Sequence, residues 1–122
     1  MQQPLQTDTP LFVQIAQQIE NAILSGALEE EMQAPSTTEI SVSRKINPAT
    51  ALKGITMLVD EGVLYKKRGL GMFVSKGAKQ AIMAKRRQQF ADKFVKPLLL
   101  EAQKLAVSGE EIIEMIKRGG NL

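Results

Sequence analysis

The sequence contains no cysteine and no histidine. Without thiols the chain forms no disulfide, and it lacks the Cys and His ligands of the usual zinc site. It also lacks thiolate nucleophiles and the commonest proton shuttle at neutral pH. Its Asp and Glu residues are scattered and form no catalytic constellation. We therefore predict that the protein is not an enzyme and has no metal site and no cofactor.

Long apolar runs are also missing. The longest aliphatic run near the C-terminus covers residues 97–100, far short of a membrane span. Residues 1–10 are polar and carry only Asp8 as a charge, so they do not form a secretory signal. The 122 residues are 43% hydrophobic and 24% charged, which is typical of one globular domain with a modest appendage. We expect a cytoplasmic protein without membrane contact.

The net charge of +3 is unevenly distributed. Residues 1–33 carry five acidic side chains and no basic one. Residues 34–77 carry seven basic side chains against three acidic ones, and residues 78–122 carry nine against five. The basic excess after residue 33 fits a polyanion footprint, and it also fits an ordinary solvated surface.

The N-terminal third predicts one amphipathic helix and an acidic loop. Thr9 is the predicted cap and Pro10 the first helical residue, and Gly26 ends the helix. Apolar residues recur on one helical face, namely Phe12, Ile15, Ile19, Ala22 and Ile23. Residues 29–31 are all Glu and are interpreted as a solvated loop.

The middle of the chain predicts a helix-turn-helix. Residues 36–39 read Ser-Thr-Thr-Glu, a capping box that opens a short helix near Ile40 and Val42. After a break at residues 44–45, Asn47 is the predicted cap and Pro48 the first residue of the next helix. Its core-facing stripe is predicted to contain Ala51, Leu52, Ile55, Leu58 and Val59.

A β-hairpin is predicted directly after the second of these helices, since two β-prone runs, residues 63–67 and 72–75, flank a glycine-bearing link. A hairpin in this position is a wing, with residues 66–69 as its predicted tip. Its basic residues Lys66, Lys67 and Arg68 fit contacts with a DNA backbone or minor groove. The alternative is an edge hairpin that charge protects from aggregation, and the preceding pair of helices favours the DNA contact.

Residues 47–53 are the strongest candidate for a DNA-reading segment. If Ala51 and Ile55 face the core, the 100° helical turn places Ala49, Thr50 and Lys53 on the opposite face. The N-terminal half of a recognition helix is the part that meets base edges in a major groove. A plain solvated helix face has the same kind of residues, so periodicity alone leaves both interpretations open.

Residues 77–122 predict a helical appendage, with a kink or break near residues 95–96 caused by Pro97. Ser108 begins a second capping box and the last helix. So small a unit hides its apolar faces poorly alone, which predicts dimerisation. The predicted interface is apolar and comprises Ile82, Phe90, Phe94, Leu98, Leu105, Ile112 and Ile116. Two interpretations stay open for Lys85, Arg86 and Arg87. They form either a solvated face or a further contact with DNA or an acidic partner.

Several short motifs in this order resemble the GntR family of bacterial transcription regulators, YtrA-type subgroup. The resemblance covers about residues 10–75 and rests on Leu-Phe-Val-Gln-Ile-Ala at 11–16, Ala-Pro-Ser at 34–36, Asn-Pro-Ala-Thr at 47–50, Asp-Glu-Gly-Val-Leu at 60–64 and Arg-Gly-Leu-Gly-Met-Phe-Val at 68–74. It implies a mostly helical fold with a small hairpin wing, in which a winged helix-turn-helix (residues 1–76) precedes a short helical dimerisation unit (residues 77–122).

The resemblance also implies a homodimer, in the role of a repressor, on double-stranded palindromic operator DNA, often near ABC transporter genes. It implies no pocket for an effector, and no effector is identified. The DNA-binding residues expected from motif and resemblance together are Ser36, Thr37, Thr38, Arg44, Lys45, Asn47, Pro48, Ala49, Thr50, Lys53, Lys67, Arg68, Gly69 and Gly71. Thr38 stands where family members commonly carry arginine, so a base or phosphate contact is either missing here or supplied by Arg44 or Lys45. The alternative to operator recognition is a winged-helix module that binds protein or RNA.

Overall fold

A computed structural model describes residues 9–120, in two compact units that divide between Ala84 and Lys85. The polar residues 1–8 lie outside the described part. The first unit contains three helices, a two-stranded antiparallel sheet and the start of a fourth helix. The elements in chain order are α1 (Leu11–Ser25), α2 (Thr37–Arg44), α3 (Pro48–Asp60), β1 (Leu64–Lys67), β2 (Gly71–Val74), α4 (Ala78–Phe90), a π-helical turn (Ala91–Val95), α5 (Lys96–Lys104) and α6 (Gly109–Gly119).

Helix α1 begins one residue later than the sequence predicts. Pro10 occupies the N-cap position with an extended ψ of 147°, and no side chain caps the helix, so the predicted cap at Thr9 is wrong. The Pro10 carbonyl instead accepts from the amides of Val13 and Gln14. Gly26 ends the helix with a φ of +86°, as predicted.

Both helix starts of the helix-turn-helix are confirmed. The Ser36 hydroxyl accepts from the Glu39 amide, and the Glu39 carboxylate accepts from the Ser36 amide. The Asn47 side chain accepts from the Ala49 amide at 2.8 Å, and Pro48 is the first residue of α3. The core of the first unit is built on residues that are at most 2% exposed, including Ile15, Ile23, Ala51, Ile55, Leu58, Leu64 and Val74.

The predicted hairpin is present, but its tip lies further along the chain. Lys67 pairs with Gly71, so Arg68, Gly69 and Leu70 form the loop, whereas Lys66 lies within β1. The observed loop therefore begins two residues later and ends one residue later than the predicted tip at residues 66–69. Residues 31–34 run along the other edge of β2, where the Ala34 amide donates to Met72 and the Val74 amide donates to Met32.

The acidic loop is not merely solvated, which corrects the sequence interpretation. The Glu30 carboxylate accepts from the amides of Gly77 (2.8 Å) and Lys79 (3.3 Å), so it caps the start of α4. The Glu31 carboxylate accepts from the Tyr65 hydroxyl at 2.9 Å, and this hydrogen bond raises the pKa of Tyr65 above its usual 10.0. Glu30 and Glu31 therefore hold the loop to α4 and β1.

The beginning of α4 belongs to the core of the first unit. Ala78 is 2% and Ile82 is 1% exposed, and both are part of the same hydrophobic cluster as α1 and α3. The predicted place of Ile82 in a dimer interface stays untested, and the burial of this side chain within one chain favours a role in the core instead. Helix α4 contributes to this core beyond residue 77, where the sequence places the boundary.

The second unit consists of helices with exposed apolar faces. Pro97, which cannot donate a backbone hydrogen bond, follows the π-helical turn, so the predicted irregularity before it is present. Ser108 forms the predicted capping box with Glu111. Ile112, which the sequence predicts at the dimer interface, is only 8% exposed within the single chain, and its interface role stays a prediction. No helix of residues 9–120 is long and apolar enough to span a membrane.

Candidate nucleic-acid interface

The N-terminal end of α3 is exposed where the sequence predicts DNA contact. Pro48 and Ala49 are exposed, and the side chain of Asn47 is used to cap the helix through the Ala49 amide. Asn47 is therefore primarily a structural residue of the site. The amides of this first turn give the end of the helix a partial positive charge.

The exposed face of α3 carries Ala49, Lys53 and Thr56, which lie on one side of the helix, away from buried Ala51 and Ile55. Thr50 is half-buried at the edge of this face. Leu52, which the sequence places in the core stripe, is 49% exposed. Sequence reasoning therefore missed Leu52 and Thr56 as surface residues, although the same 100° periodicity places both beside Ala49.

A shallow groove separates the exposed face of α3 from the first turn of α1. It is lined by Leu11, Phe12, Ala49, Thr50 and Lys53. The Lys53 Nζ lies 4.2 Å from the centroid of the Phe12 ring. The sequence assigns Phe12 to the core stripe of α1, but the side chain is half-buried and borders the groove.

The start of α2 presents small polar side chains. Ser36 and Thr38 are exposed, and Thr37 is half-buried. Hydrogen bonds from the backbone and side chain of Ser36 lower the pKa of Glu39 below its usual 4.5, so the capping carboxylate stays ionised at neutral pH. Thr38 adds no positive charge to this end of α2.

The turn between α2 and α3 carries the two basic residues expected to replace the missing arginine. Arg44 is the last residue of α2, and Lys45 follows with a left-handed φ of +55°. Both side chains are exposed. They belong to the same compact unit as the exposed face of α3.

The wing carries three exposed basic side chains, and two of them, Lys67 and Arg68, have clearly different surroundings. The Lys67 Nζ lies 4.3 Å from the centroid of the Phe73 ring, so this side chain lies along the hairpin instead of projecting from the tip. Arg68 is exposed in the loop itself, next to Leu70, which is 63% exposed. The wing therefore presents one cation in its loop, Arg68, and two on its first strand, Lys66 and Lys67.

The two glycines of the wing have different structural roles. Both have positive φ, +78° at Gly69 and +111° at Gly71, which favours glycine. A Cβ on Gly69 would meet nothing within 4 Å, whereas one on Gly71 would lie 2.9 Å from the Gln33 Nε2. The Gln33 amide also donates to the Leu70 carbonyl at 2.7 Å. Gly71 therefore allows the hairpin to pack against residue 33.

The charges around the helix-turn-helix and wing are arranged in a pattern that suits an anionic ligand. Every basic residue between positions 44 and 68 is exposed, and these residues are Arg44, Lys45, Lys53, Lys66, Lys67 and Arg68. The acidic residues Asp60 and Glu61 lie at the opposite end of α3 from its exposed start. Residues 9–120 contain no cluster of acidic side chains able to hold a metal ion.

Known proteins share this architecture. No protein-family model matches the chain. The transcriptional repressor YtrA of Bacillus subtilis is 29% identical, over 91% of this chain and 85% of YtrA. The crystal structure of a GntR-family transcriptional regulator from Bacteroides thetaiotaomicron is 35% identical with a TM-score of 0.68, over 91% of this chain and 100% of that one. The DNA-binding domain of AraR in complex with operator ORX1 is 29% identical with a TM-score of 0.53, over 62% of this chain and 92% of that domain.

Proposed function

Because the chain belongs to the GntR family of transcription regulators, we propose that it is a repressor that binds a palindromic operator as a homodimer. The observation that carries this proposal is the exposed start of α3, with Ala49 and Lys53 on one open face of a winged helix-turn-helix. The likeness of this part of the chain to AraR bound to an operator supports the same ligand. Similarity to YtrA over most of both chains supports the repressor role.

The exposed face of α3 is the part proposed to read sequence. Its N-terminal half enters the major groove, where small Ala49 allows close approach to the bases. Thr50 at its edge binds a base or a phosphate, and Lys53 binds guanine or a phosphate. Ser36, Thr37 and Thr38 at the start of α2, with Arg44 and Lys45 after it, are proposed phosphate contacts.

The wing is proposed to bind the DNA backbone and minor groove. Arg68 in the loop is the side chain placed to enter a minor groove, and Lys67 lies on the hairpin face as a phosphate contact. Gly69 permits close approach of the loop because it has no side chain. Gly71 acts indirectly, through the packing of the hairpin against Gln33.

The second unit is proposed to form the dimer interface. The side chains that one chain leaves exposed there are large and apolar, and include Phe90 (57% exposed), Phe94 (63%), Leu98 (44%), Leu105 (64%) and Ile116 (53%). Burying a large apolar side chain contributes roughly 1.5–3 kcal/mol, so a second copy is the simplest cover for this surface. A two-fold dimer would present two recognition helices to two half-sites about 34 Å, or a multiple of it, apart.

The DNA proposal is tested by fluorescence anisotropy with a labelled duplex from the region upstream of the protein's own gene and with a random duplex. We expect Lys53→Ala to reduce the preference for the operator by about 1–3 kcal/mol if Lys53 contacts a base. Lys67→Ala should weaken both duplexes similarly, because phosphate contacts carry little sequence information. Lys104→Ala, which removes an exposed lysine from the second unit, is the matched control.

Salt dependence provides an independent check on the same duplexes. Each phosphate contact contributes roughly 0.9 to the slope of log affinity against log salt concentration. Binding should therefore weaken steeply with salt, and Lys67→Ala should reduce the slope by about 1 per protomer. A flat salt profile would contradict operator binding, and an unchanged operator preference in Lys53→Ala would contradict its role in base reading.

The dimer proposal is tested with Phe94→Asp, which places a charge in the exposed apolar face of the second unit. The variant should sediment as a monomer and bind the operator much more weakly, because one domain then holds only one half-site. Circular dichroism should show intact helices. A wild-type monomer at micromolar concentration would contradict the dimer, and a folded variant that stays dimeric would mean that the interface lies elsewhere.

A further inference from the structure

Lys53 is held against an aromatic ring of another helix. Its Nζ lies 4.2 Å from the centroid of the Phe12 ring, within the range of a cation–π interaction. Lys53 is exposed and Phe12 is half-buried, so the ring packs beneath an ammonium group that faces solvent. The contact joins the first turn of α1 to the proposed recognition helix.

The close approach of α1 and α3 explains how the contact arises. Gly54, the residue after Lys53, is buried, and a Cβ there would lie 2.8 Å from the Phe12 carbonyl oxygen. The same Cβ would lie 3.1 Å from two side-chain atoms of Ile15. The two helices therefore come closest at the turn that carries Phe12, and this brings its ring within reach of the neighbouring lysine.

The chemical group that contacts the Lys53 ammonium affects how this side chain can bind DNA. A carboxylate beside Lys53 would neutralise the ammonium and compete with phosphate, whereas an aromatic face attracts the cation and leaves its charge intact. A long lysine side chain otherwise loses rotamer freedom when it binds a ligand. An ammonium that already rests on the ring loses less of this freedom on binding.

We propose that Phe12 is a positioning residue that holds the Lys53 ammonium at the DNA-facing edge of α3 and thereby strengthens operator binding. This inference rests on the proposed function. The wing repeats the arrangement, since the Lys67 Nζ lies 4.3 Å from the centroid of the Phe73 ring. Two lysines of the proposed interface thus rest on phenylalanine rings within one compact unit.

A double-mutant cycle on the full chain tests the role of Phe12, with operator affinity measured by anisotropy at fixed salt. Phe12→Leu keeps an apolar side chain in the groove but removes the ring. It should weaken operator binding about two- to tenfold, the range expected when binding must immobilise one more long side chain. In the Lys53→Ala background the same substitution should have no effect, and Phe12→Tyr should keep wild-type affinity.

A spectroscopic readout separates positioning from a merely structural role. In the free wild-type protein the ε-methylene protons of Lys53 should show an upfield ring-current shift in NMR spectra, and this shift should disappear in Phe12→Leu. Val13→Ala, a change at the next position of α1, should leave the shift in place. Absence of the shift in the wild type would overturn the proposal.

The outcomes of the cycle are distinct. Equal loss of affinity in both backgrounds would overturn the proposal, because Phe12 would then act through the fold or through its own DNA contact. Unchanged or tighter binding by Phe12→Leu would also overturn it, and tighter binding would mean that the ring holds Lys53 away from DNA. If the wild-type chain binds no duplex, the proposed function itself is contradicted. If it binds the operator but the cycle shows no coupling between Phe12 and Lys53, only the role of Phe12 is contradicted.

Discussion

Replacement of Ile82 by alanine should destabilise the first unit strongly. Ile82 is 1% exposed and packs in the core cluster, although it lies beyond residue 76 in a helix that continues to Phe90. The substitution removes three buried carbon atoms, which contribute about 2.4 kcal/mol at roughly 0.8 kcal/mol per buried CH2 group. The cavity left behind adds to this loss, and substitutions of this kind in protein cores cost about 2–5 kcal/mol in total.

The assay is urea unfolding followed by the fluorescence of Tyr65. The chain has no tryptophan and one tyrosine, so this signal reports the first unit alone. A small domain is stabilised by about 5–15 kcal/mol, so the expected loss should move the unfolding midpoint clearly. Leu70→Ala is the matched control, because Leu70 is 63% exposed in the same unit and its truncation should change stability by no more than about 0.5 kcal/mol.

Sedimentation of Ile82→Ala completes the experiment. The variant should associate like the wild type, because the side chain is buried within one chain. An Ile82→Ala protein as stable as the wild type but weakened in self-association would refute the reasoning. Ile82 would then be an interface residue, and the winged helix-turn-helix would end before α4.

Three further predictions concern hydrogen bonds of single side chains. Glu31→Gln should lower the pKa of Tyr65 toward 10, as measured by ultraviolet titration of the sole tyrosine. Because the folded-state pKa is raised, the stability linked to this group is present below pH 10 and is lost as pH rises through the folded-state pKa. Ser36→Ala should destabilise the chain by about 1 kcal/mol at neutral pH in urea unfolding. The glutamate of that capping box, Glu39, has a lowered pKa. Its contribution to stability is therefore present above pH 4.5 and is lost as pH falls through the folded-state pKa. The difference in stability between Ser36→Ala and the wild type should shrink over this acid range. Glu30→Ala removes the cap of α4 and should cost about 1 kcal/mol in the same assay.

Each of these predictions has a contradicting result. An unchanged Tyr65 titration in Glu31→Gln would mean that the hydrogen bond does not form in solution. If the destabilisation by Ser36→Ala stays constant into acid, the stability of the cap does not depend on the ionised carboxylate of its glutamate. Glu29→Ala is the control for Glu30→Ala. Equal effects of the two substitutions on stability would mean that Glu30 acts through its charge and not as the cap of α4.

The sequence by itself determined the order and type of the elements and the position of the proposed recognition helix. Capping boxes and proline starts depend on residues three or fewer positions apart, so Ser36, Asn47 and Ser108 could be assigned from spacing alone. Helical periodicity identified buried Ala51 and Ile55, and hence exposed Ala49 and Lys53. The motifs of residues 10–75 led to the GntR family, and the family is confirmed by the comparison. The DNA-contact and dimer-interface residues stay predictions.

Only the tertiary structure decided which distant residues meet. Glu30 accepts from the amide of Gly77, 47 residues further along the chain, and the acceptor for Tyr65 is Glu31, 34 residues away. The apolar pattern of α4 identified a helix but not the surface that covers Ile82, since periodicity gives the face of a helix and not its partner. The contact of Lys53 with Phe12 depends on the close crossing of α1 and α3 at Gly54. Spacing along the chain carries no information about such a crossing, because the packing of whole helices sets it.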